Sequence, residues 1–132
     1  MDELIEEKFI NAFVIKEKRE RVLHELNSKT KRMSAARRLF SWLDGRYVVF
    51  EGQTVTESEL IAETKKYTQA NKACYIISEV SDDGKRLPLE EAVKNMLKYE
   101  MTYFIVCDEN TAIASEEYEG AAPVKLILHR NA

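Results

Sequence analysis

The sequence predicts an α+β fold, in which an N-terminal helix pair precedes a mixed sheet of about four to five strands with two further helices packed on it. Residues 2–27 contain neither Gly nor Pro and repeat apolar residues at helical spacing. Residues 73–80 and 101–107 are short apolar runs, typical of strands covered on both faces, with an amphipathic helical pattern between them. We expect one domain over residues 1–132, with the helix pair in 1–44 and the sheet with its two helices in 46–132.

The first helix is expected to run without interruption over residues 2–27. Ile5, Phe9 and Phe13 lie on one helical face, whereas the apolar residues of 22–26 lie on another. The helix therefore either contacts two different partners or breaks near residues 14–15, and we favour the continuous helix. A second helix is predicted after the turn at residues 27–28 and ends at Asp44 and Gly45.

The remaining elements are predicted from turn and cap residues. Residues 46–50 favour a strand, and 53–55 have the pattern of a short returning hairpin arm. Thr56 and Glu59 have the spacing of a capping box at the start of a helix. A turn at Asp83 and Gly84 precedes the amphipathic helix that begins near Pro88. Strands are then expected at 111–115 and 123–129, and the charged residues 116–119 are predicted to be a solvated surface segment.

Sequence patterns for catalysis, nucleotide binding and metal binding are absent. The chain has no GxxxxGK[ST], GxGxxG, GxSxG or HExxH motif. We therefore predict no catalytic residue, no metal ligand and no cofactor. A site assembled in three dimensions from His24 or His129 with Cys107 and Asp108 remains an alternative, because ligands can be distant in sequence.

The two cysteines, Cys74 and Cys107, lie in apolar stretches without CxxC spacing. We predict buried free thiols, with a disulfide between neighbouring strands as the alternative. The first residues are acidic, unlike a targeting segment, and no run approaches the roughly 18 apolar residues that cross a bilayer. A cytoplasmic protein without membrane contact is expected.

Charge is divided unevenly along the chain. Residues 16–38 hold nine basic residues against three acidic ones, a net charge of +6, and because the whole chain carries −3, the other residues carry −9. Such asymmetry indicates an acidic partner for the basic segment. The residues predicted to bind it are Lys16, Arg19, Lys31, Arg32, Arg37 and Arg38.

Three classes of function remain open. The first is a non-enzymatic module that binds or regulates another macromolecule, through a protein partner or through self-association as a homodimer. The second is nucleic-acid binding through residues 16–38, in which Phe40 and Trp42 would stack on bases, although we favour packing roles for these two rings. The third is a small-ligand site or enzyme at the ends of the two central strands, formed by Tyr75, Glu79, Cys107 and Asp108.

Overall fold

The computed structural model describes residues 1–69, 72–116 and 123–131. Within these ranges the chain forms five α-helices: α1 (Glu3–Phe13), α2 (Arg19–Leu26), α3 (Arg32–Leu39), α4 (Glu57–Thr64) and α5 (Leu89–Tyr99). It also forms six strands: β1 (Val48–Gly52), β2 (Cys74–Ser78), β3 (Arg86–Leu87), β4 (Tyr103–Val106), β5 (Thr111–Ser115) and β6 (Lys125–His129). The predicted α+β class is confirmed. The predicted surface segment at 116–119 lies, apart from Glu116, outside the described residues.

The six strands form one sheet in the order β1-β6-β5-β4-β2-β3, and all neighbouring pairs are antiparallel. The prediction of a mixed sheet with four to five strands was therefore wrong in these details, and residues 53–55 do not form a strand. The short β3 strand explains why β2 and β4 are antiparallel, because the chain reverses from β2 into β3 before α5 begins. Helix α5 thus joins β3 to β4, which run parallel to each other on either side of β2.

Helices cover both faces of the sheet. Phe9 and Phe13 of α1 pack with α2, α3 and one set of alternating strand residues, including Tyr75 and Phe104. On the opposite face, α4 and α5 pack with the other set, which includes Ile76. Every residue of β2 and β4 is buried, as the continuous apolar runs predicted.

The expected continuous N-terminal helix was wrong, because α1 ends at Phe13. Val14 has extended backbone angles and pairs with Leu43 in an isolated antiparallel bridge. The Ile15 N–H donates to the Trp42 carbonyl oxygen (2.9 Å), and the Asp44 N–H donates to that of Phe13 (2.7 Å). These hydrogen bonds satisfy backbone groups that the helix would otherwise use, so the change of apolar face in the sequence marks a break.

The β2–β3 turn requires glycine at position 84. Gly84 has a φ of +81°, its N–H donates to the Ile76 carbonyl oxygen (2.8 Å), and an added Cβ would clash with the Met1 sulfur. The turn predicted at Asp83 and Gly84 is confirmed. It directs Asp82 inward, where this carboxylate accepts hydrogen bonds from the Tyr103 hydroxyl (2.7 Å) and from the side chain of Asn95 (2.9 Å).

Candidate basic surface and strand-end cleft

Arg32, one of the predicted partner-binding residues, lies in a buried ion-pair network. Its guanidinium donates to both carboxylate oxygens of Glu6 (3.0 and 2.6 Å) and to both of Asp83 (3.0 and 2.7 Å). The Arg32 side chain is 12% exposed and that of Glu6 is fully buried. Burial alone lowers the pKa of the guanidinium, but the bonds to Glu6 and Asp83 prevail and raise it above its ordinary value. Arg32 therefore joins α1, α3 and the β2–β3 hairpin, and presents little surface to a partner.

The other polar atoms of this network also have partners. Tyr75 donates its hydroxyl to Glu6 (2.6 Å) and accepts the Asp2 N–H (3.0 Å). Burial and the bond to Glu6 raise the pKa of Tyr75 to about 12. Asp83 accepts the backbone N–H of Ser78 (3.1 Å). The network is thus closed by hydrogen bonds, as a buried set of charges requires.

Arg37 pairs with Glu79 at the end of β2. The Glu79 side chain is fully buried and also accepts the Thr102 N–H (3.1 Å). Burial raises the pKa of Glu79, but the hydrogen bonds from Arg37 and Thr102 outweigh that effect and lower it below its ordinary value. The Arg37 side chain remains 54% exposed. Arg32 and Arg37 therefore each pair with carboxylates from outside residues 16–38.

A second group of cations surrounds Trp42, which follows α3 in a 3-10 turn. Lys18 Nζ lies 5.2 Å from the centroid of the Trp42 ring, and the guanidinium carbons of Arg21 and Arg38 lie 5.4 and 5.8 Å from it. Glu25 accepts hydrogen bonds from Arg21 (2.8 Å) and from Arg38. We call Lys18, Arg21, Arg38 and Trp42 the Trp42 surface. It combines three cations, of which the two arginines pair with Glu25, and the Arg21 and Arg38 side chains are 56% and 40% exposed.

The remaining predicted residues lie outside this group. Lys16 and Lys31 are exposed, and Arg19 is half-buried with its Nε donating to the Val14 carbonyl oxygen (2.9 Å). Contacts thus divide the six predicted residues: Arg38 belongs to the Trp42 surface, whereas Arg32 and Arg37 contact carboxylates at the end of β2 and in the β2–β3 turn. Whether any of them binds a partner stays a prediction.

The strand-end residues divide in a similar way. Tyr75, Cys107 and Asp108 line a cleft of about 370 Å³ between the start of α1, the start of β2 and the end of β4. Glu79 lies at the opposite end of β2, because β2 and β4 are antiparallel. The structure therefore brings together Tyr75, Cys107 and Asp108 but not Glu79, and whether they form a site stays a prediction.

The cleft has an apolar base and a charged rim. Phe9 and Val106 contribute to the base, while Lys8 pairs with Glu109 at the rim (2.9 Å). Lys72 is exposed at the same edge. The volume falls within the range of small-ligand sites, roughly 300–1,000 Å³.

The potentially reactive groups of the cleft are already engaged. The Tyr75 hydroxyl is held in the Arg32 network, and Asp108 accepts hydrogen bonds from the Thr68 hydroxyl and the Asn110 N–H. The interaction with Cys74 and burial raise the pKa of Cys107 well above its ordinary value, which keeps this thiol protonated at neutral pH. The arrangement is suited to binding more than to acid–base or nucleophilic chemistry.

Sequence reasoning missed two of the three cations of the Trp42 surface, Lys18 and Arg21. Its expectation of packing roles for Phe40 and Trp42 is confirmed, because both rings are partly buried against the core cluster on the α1 face of the sheet. Lys18 and Arg21 belong to the basic segment, and their spacing of three residues on a helical path places them on one side. That spacing was the available signal. Their convergence on Trp42 depends on the break after α1, which was the less favoured alternative from the sequence.

Comparison of the chain with protein-family models, with curated proteins and with solved structures finds no match. Over the ranges 1–69, 72–116 and 123–131, no three His, Cys, Asp or Glu side chains are grouped so that they could hold a metal ion. In the same part of the chain, no helix has both the length and the apolar character needed to span a bilayer.

Proposed function

We propose that the chain is a non-enzymatic binding module that recognises an acidic protein surface, on another protein or on a second copy of the chain, through the Trp42 surface. The observation that carries this proposal is the grouping of Lys18, Arg21 and Arg38 around one partly exposed tryptophan, with Glu25 paired to the two arginines. Trp and Arg are the residues most enriched at the energetic centres of protein interfaces.

Internal contacts hold these cations in position before a partner arrives. Arg21 and Arg38 are oriented by Glu25, and all three cations rest against the ring. Because their side chains are already ordered, binding would lose less conformational entropy than it would with free lysines and arginines. The net charge of −9 outside residues 16–38 supplies acidic residues for contact between two copies.

Nucleic-acid binding through the same segment is the less favoured alternative. Base stacking needs an open aromatic face, whereas the Trp42 ring is flanked by three cations of its own chain. Arg32 and Arg37, which could neutralise phosphates, are paired with Glu6, Asp83 and Glu79. The acidic remainder of the chain also repels a polyanion.

The test compares acidic polypeptide with nucleic acid. Fluorescent poly-glutamate and single-stranded DNA and RNA of matched length are titrated at low salt, and self-association is followed by sedimentation. The variant Lys18→Glu/Arg21→Glu should weaken poly-glutamate binding or self-association at least about tenfold, because like charges then face the acidic partner. The matched control is Lys94→Glu/Lys98→Glu in α5, which changes the net charge equally on the other side of the sheet.

Equal weakening of poly-glutamate binding or of self-association in the two double variants would contradict the proposal, since the effect would then follow net charge alone. Tighter binding of DNA or RNA than of poly-glutamate, lost in Lys18→Glu/Arg21→Glu, would favour the nucleic-acid alternative. Absence of both self-association and poly-glutamate binding at low salt would remove the basis for a role of this surface.

The cleft supports a second candidate function, binding of a small amphipathic molecule. Its apolar base at Phe9 and Val106 suits a hydrocarbon body, and Lys72, exposed at the rim, suits a carboxylate. Titration with decanoate and with decanol tests this. Saturable binding of decanoate that is weakened by Lys72→Ala supports the site, whereas no saturable change in the melting temperature with either compound argues against it.

A cytoplasmic location belongs to the same proposal. It is supported by the two cysteines, both of which are free thiols in the structure. Such thiols are typical of a reducing compartment.

A further inference from the structure

Cys74 and Cys107 lie directly opposite each other in the sheet. In the antiparallel register of β2 and β4, Tyr75 pairs with Val106 and Ile76 with Ile105. One step further toward the start of β2, Cys74 is opposite Cys107. Both side chains belong to the core cluster between the sheet and helices α4 and α5, so they point to the same face.

The hydrogen-bond pattern shows which kind of pair they form. The Cys107 N–H donates to the Thr111 carbonyl oxygen (3.0 Å), so the backbone of Cys107 bonds toward β5 and away from β2. At the other end of the β2–β4 ladder, the Glu79 N–H donates to the carbonyl oxygen of Thr102 (3.2 Å). Because bonded and non-bonded pairs alternate along an antiparallel ladder, the two cysteines occupy a non-hydrogen-bonded pair. Such pairs have Cα atoms about 4.5 Å apart, within the span of a disulfide.

The two thiols also interact with each other. A hydrogen bond between them lowers the pKa of Cys74, while the same bond and burial raise that of Cys107. Cys107 borders the cleft and is 7% exposed, whereas Cys74 is fully buried. Both side chains face the core between the sheet and helices α4 and α5, away from α1, so a small oxidant reaches the pair when that packing opens locally.

We propose that Cys74 and Cys107 are a peroxide-sensitive pair, which forms an intramolecular disulfide that links β2 to β4 in the folded chain. In the first step the thiolate of one cysteine attacks one oxygen of hydrogen peroxide, the O–O bond breaks, and the departing hydroxide takes up a proton to give water, leaving a sulfenic acid. The other cysteine then loses its proton and its sulfur attacks the sulfenic acid sulfur, the S–O bond breaks, and the departing hydroxide takes up that proton to give a second water. In total two thiols lose two protons and two electrons, and one peroxide is reduced to two waters. The site is independent of the Trp42 surface.

The experiment treats the reduced full-length chain with hydrogen peroxide at neutral pH, then unfolds it in the presence of an alkylating reagent and measures its intact mass. The expected product is a monomer whose mass is lower by two hydrogens and in which neither cysteine is alkylated. Dithiothreitol should restore both alkylation sites. The melting temperature of the oxidised chain should rise by on the order of 10 °C, because the disulfide restricts the unfolded state.

Two variants and two opposing outcomes complete the test. Cys74→Ser and Cys107→Ser should each lose the intramolecular product while keeping the wild-type far-UV circular dichroism. Full alkylation of both cysteines after peroxide treatment would overturn the proposal. A mass raised by oxygen atoms, with no loss of two hydrogens, would overturn it as well, since a thiol without an adjacent partner is oxidised in that way.

Discussion

Replacement of Arg32 by methionine removes the guanidinium of the buried network and keeps most of the apolar stem of the side chain. It leaves the fully buried Glu6 carboxylate and the 18% exposed Asp83 carboxylate without their shared guanidinium. Among the residues that the structure describes, Glu6 would retain the hydrogen bond from the Tyr75 hydroxyl, and Asp83 the one from the Ser78 N–H. The variant therefore tests whether the basic segment stabilises the fold through this residue.

The expected loss follows from the burial of the partners. Removal of one partner from a buried ion pair costs about 3–5 kcal/mol. Asp83 can reorient toward water, whereas Glu6 cannot, so we expect a loss of about 4 kcal/mol in the free energy of unfolding at pH 7. Such a loss is a large part of the roughly 5–15 kcal/mol typical of a folded domain.

Urea unfolding followed by the fluorescence of Trp42, the single tryptophan, measures this loss. The control is Lys31→Met, an exposed neighbour, which should change stability by less than about 0.5 kcal/mol. Glu6→Gln in the Arg32→Met background should recover part of the loss, because an amide needs no counterion. A loss below about 1 kcal/mol in Arg32→Met, or a double variant less stable than Arg32→Met, would refute the role assigned to the network.

Three further predictions concern stability. Because the pKa of Glu79 is lowered in the folded chain, its contribution to the free energy of unfolding is present above the ordinary pKa of 4.5 and is lost as the pH falls through the lower folded pKa. In urea unfolding, the difference in stability between wild type and Glu79→Gln should therefore shrink below pH 4.5. A constant difference from about pH 7 to about pH 3 would contradict this. Thr56→Ala removes the acceptor of the Glu59 N–H at the start of α4 and should cost about 1 kcal/mol in urea unfolding, against almost nothing for exposed Thr54→Ala. Glu100, at the end of α5, has a left-handed backbone with a φ of 53°, which glycine adopts more easily than other residues. Glu100→Gly should therefore stabilise the fold by about 0.5–1 kcal/mol, measured as a higher melting temperature, and Glu100→Ala should not.

Local signals in the sequence predicted much of the fold. The apolar runs that became β2 and β4 are buried along their whole length, because strands covered on both faces need no polar alternation. Thr56 caps α4 as its spacing from Glu59 predicted, because its side chain accepts a hydrogen bond from the Glu59 N–H. The Glu59 carboxylate in turn accepts a hydrogen bond from the Thr56 hydroxyl (3.1 Å). Gly84 occupies a turn with positive φ, a conformation that other residues avoid.

Features that depend on distant contacts were not predicted. The break after Phe13 is stabilised by the bridge between Val14 and Leu43, which no local propensity encodes. The two-residue strand β3 is too short to have a periodic signal, and it determines that α5 crosses over β2.

The candidate site was predictable only in composition. The excess of basic residues in 16–38 is visible in the sequence, but the partners of Arg32 lie 26 and 51 residues away, at Glu6 and Asp83. Charge counting therefore cannot separate a cation that stabilises the core from one that faces solvent. Tertiary structure makes that distinction, and it places Lys18 and Arg21 beside Trp42.

The central claim is that the basic segment contains two kinds of cation, which the structure separates: Arg32 stabilises the fold, and the Trp42 surface faces outward. The most direct measurement is a poly-glutamate titration of Arg32→Met and of Lys18→Glu/Arg21→Glu, under conditions in which both variants are folded. We predict near wild-type affinity for Arg32→Met and at least about tenfold weaker binding for Lys18→Glu/Arg21→Glu. Equal weakening in both variants, or weakening in Arg32→Met alone, would contradict this division.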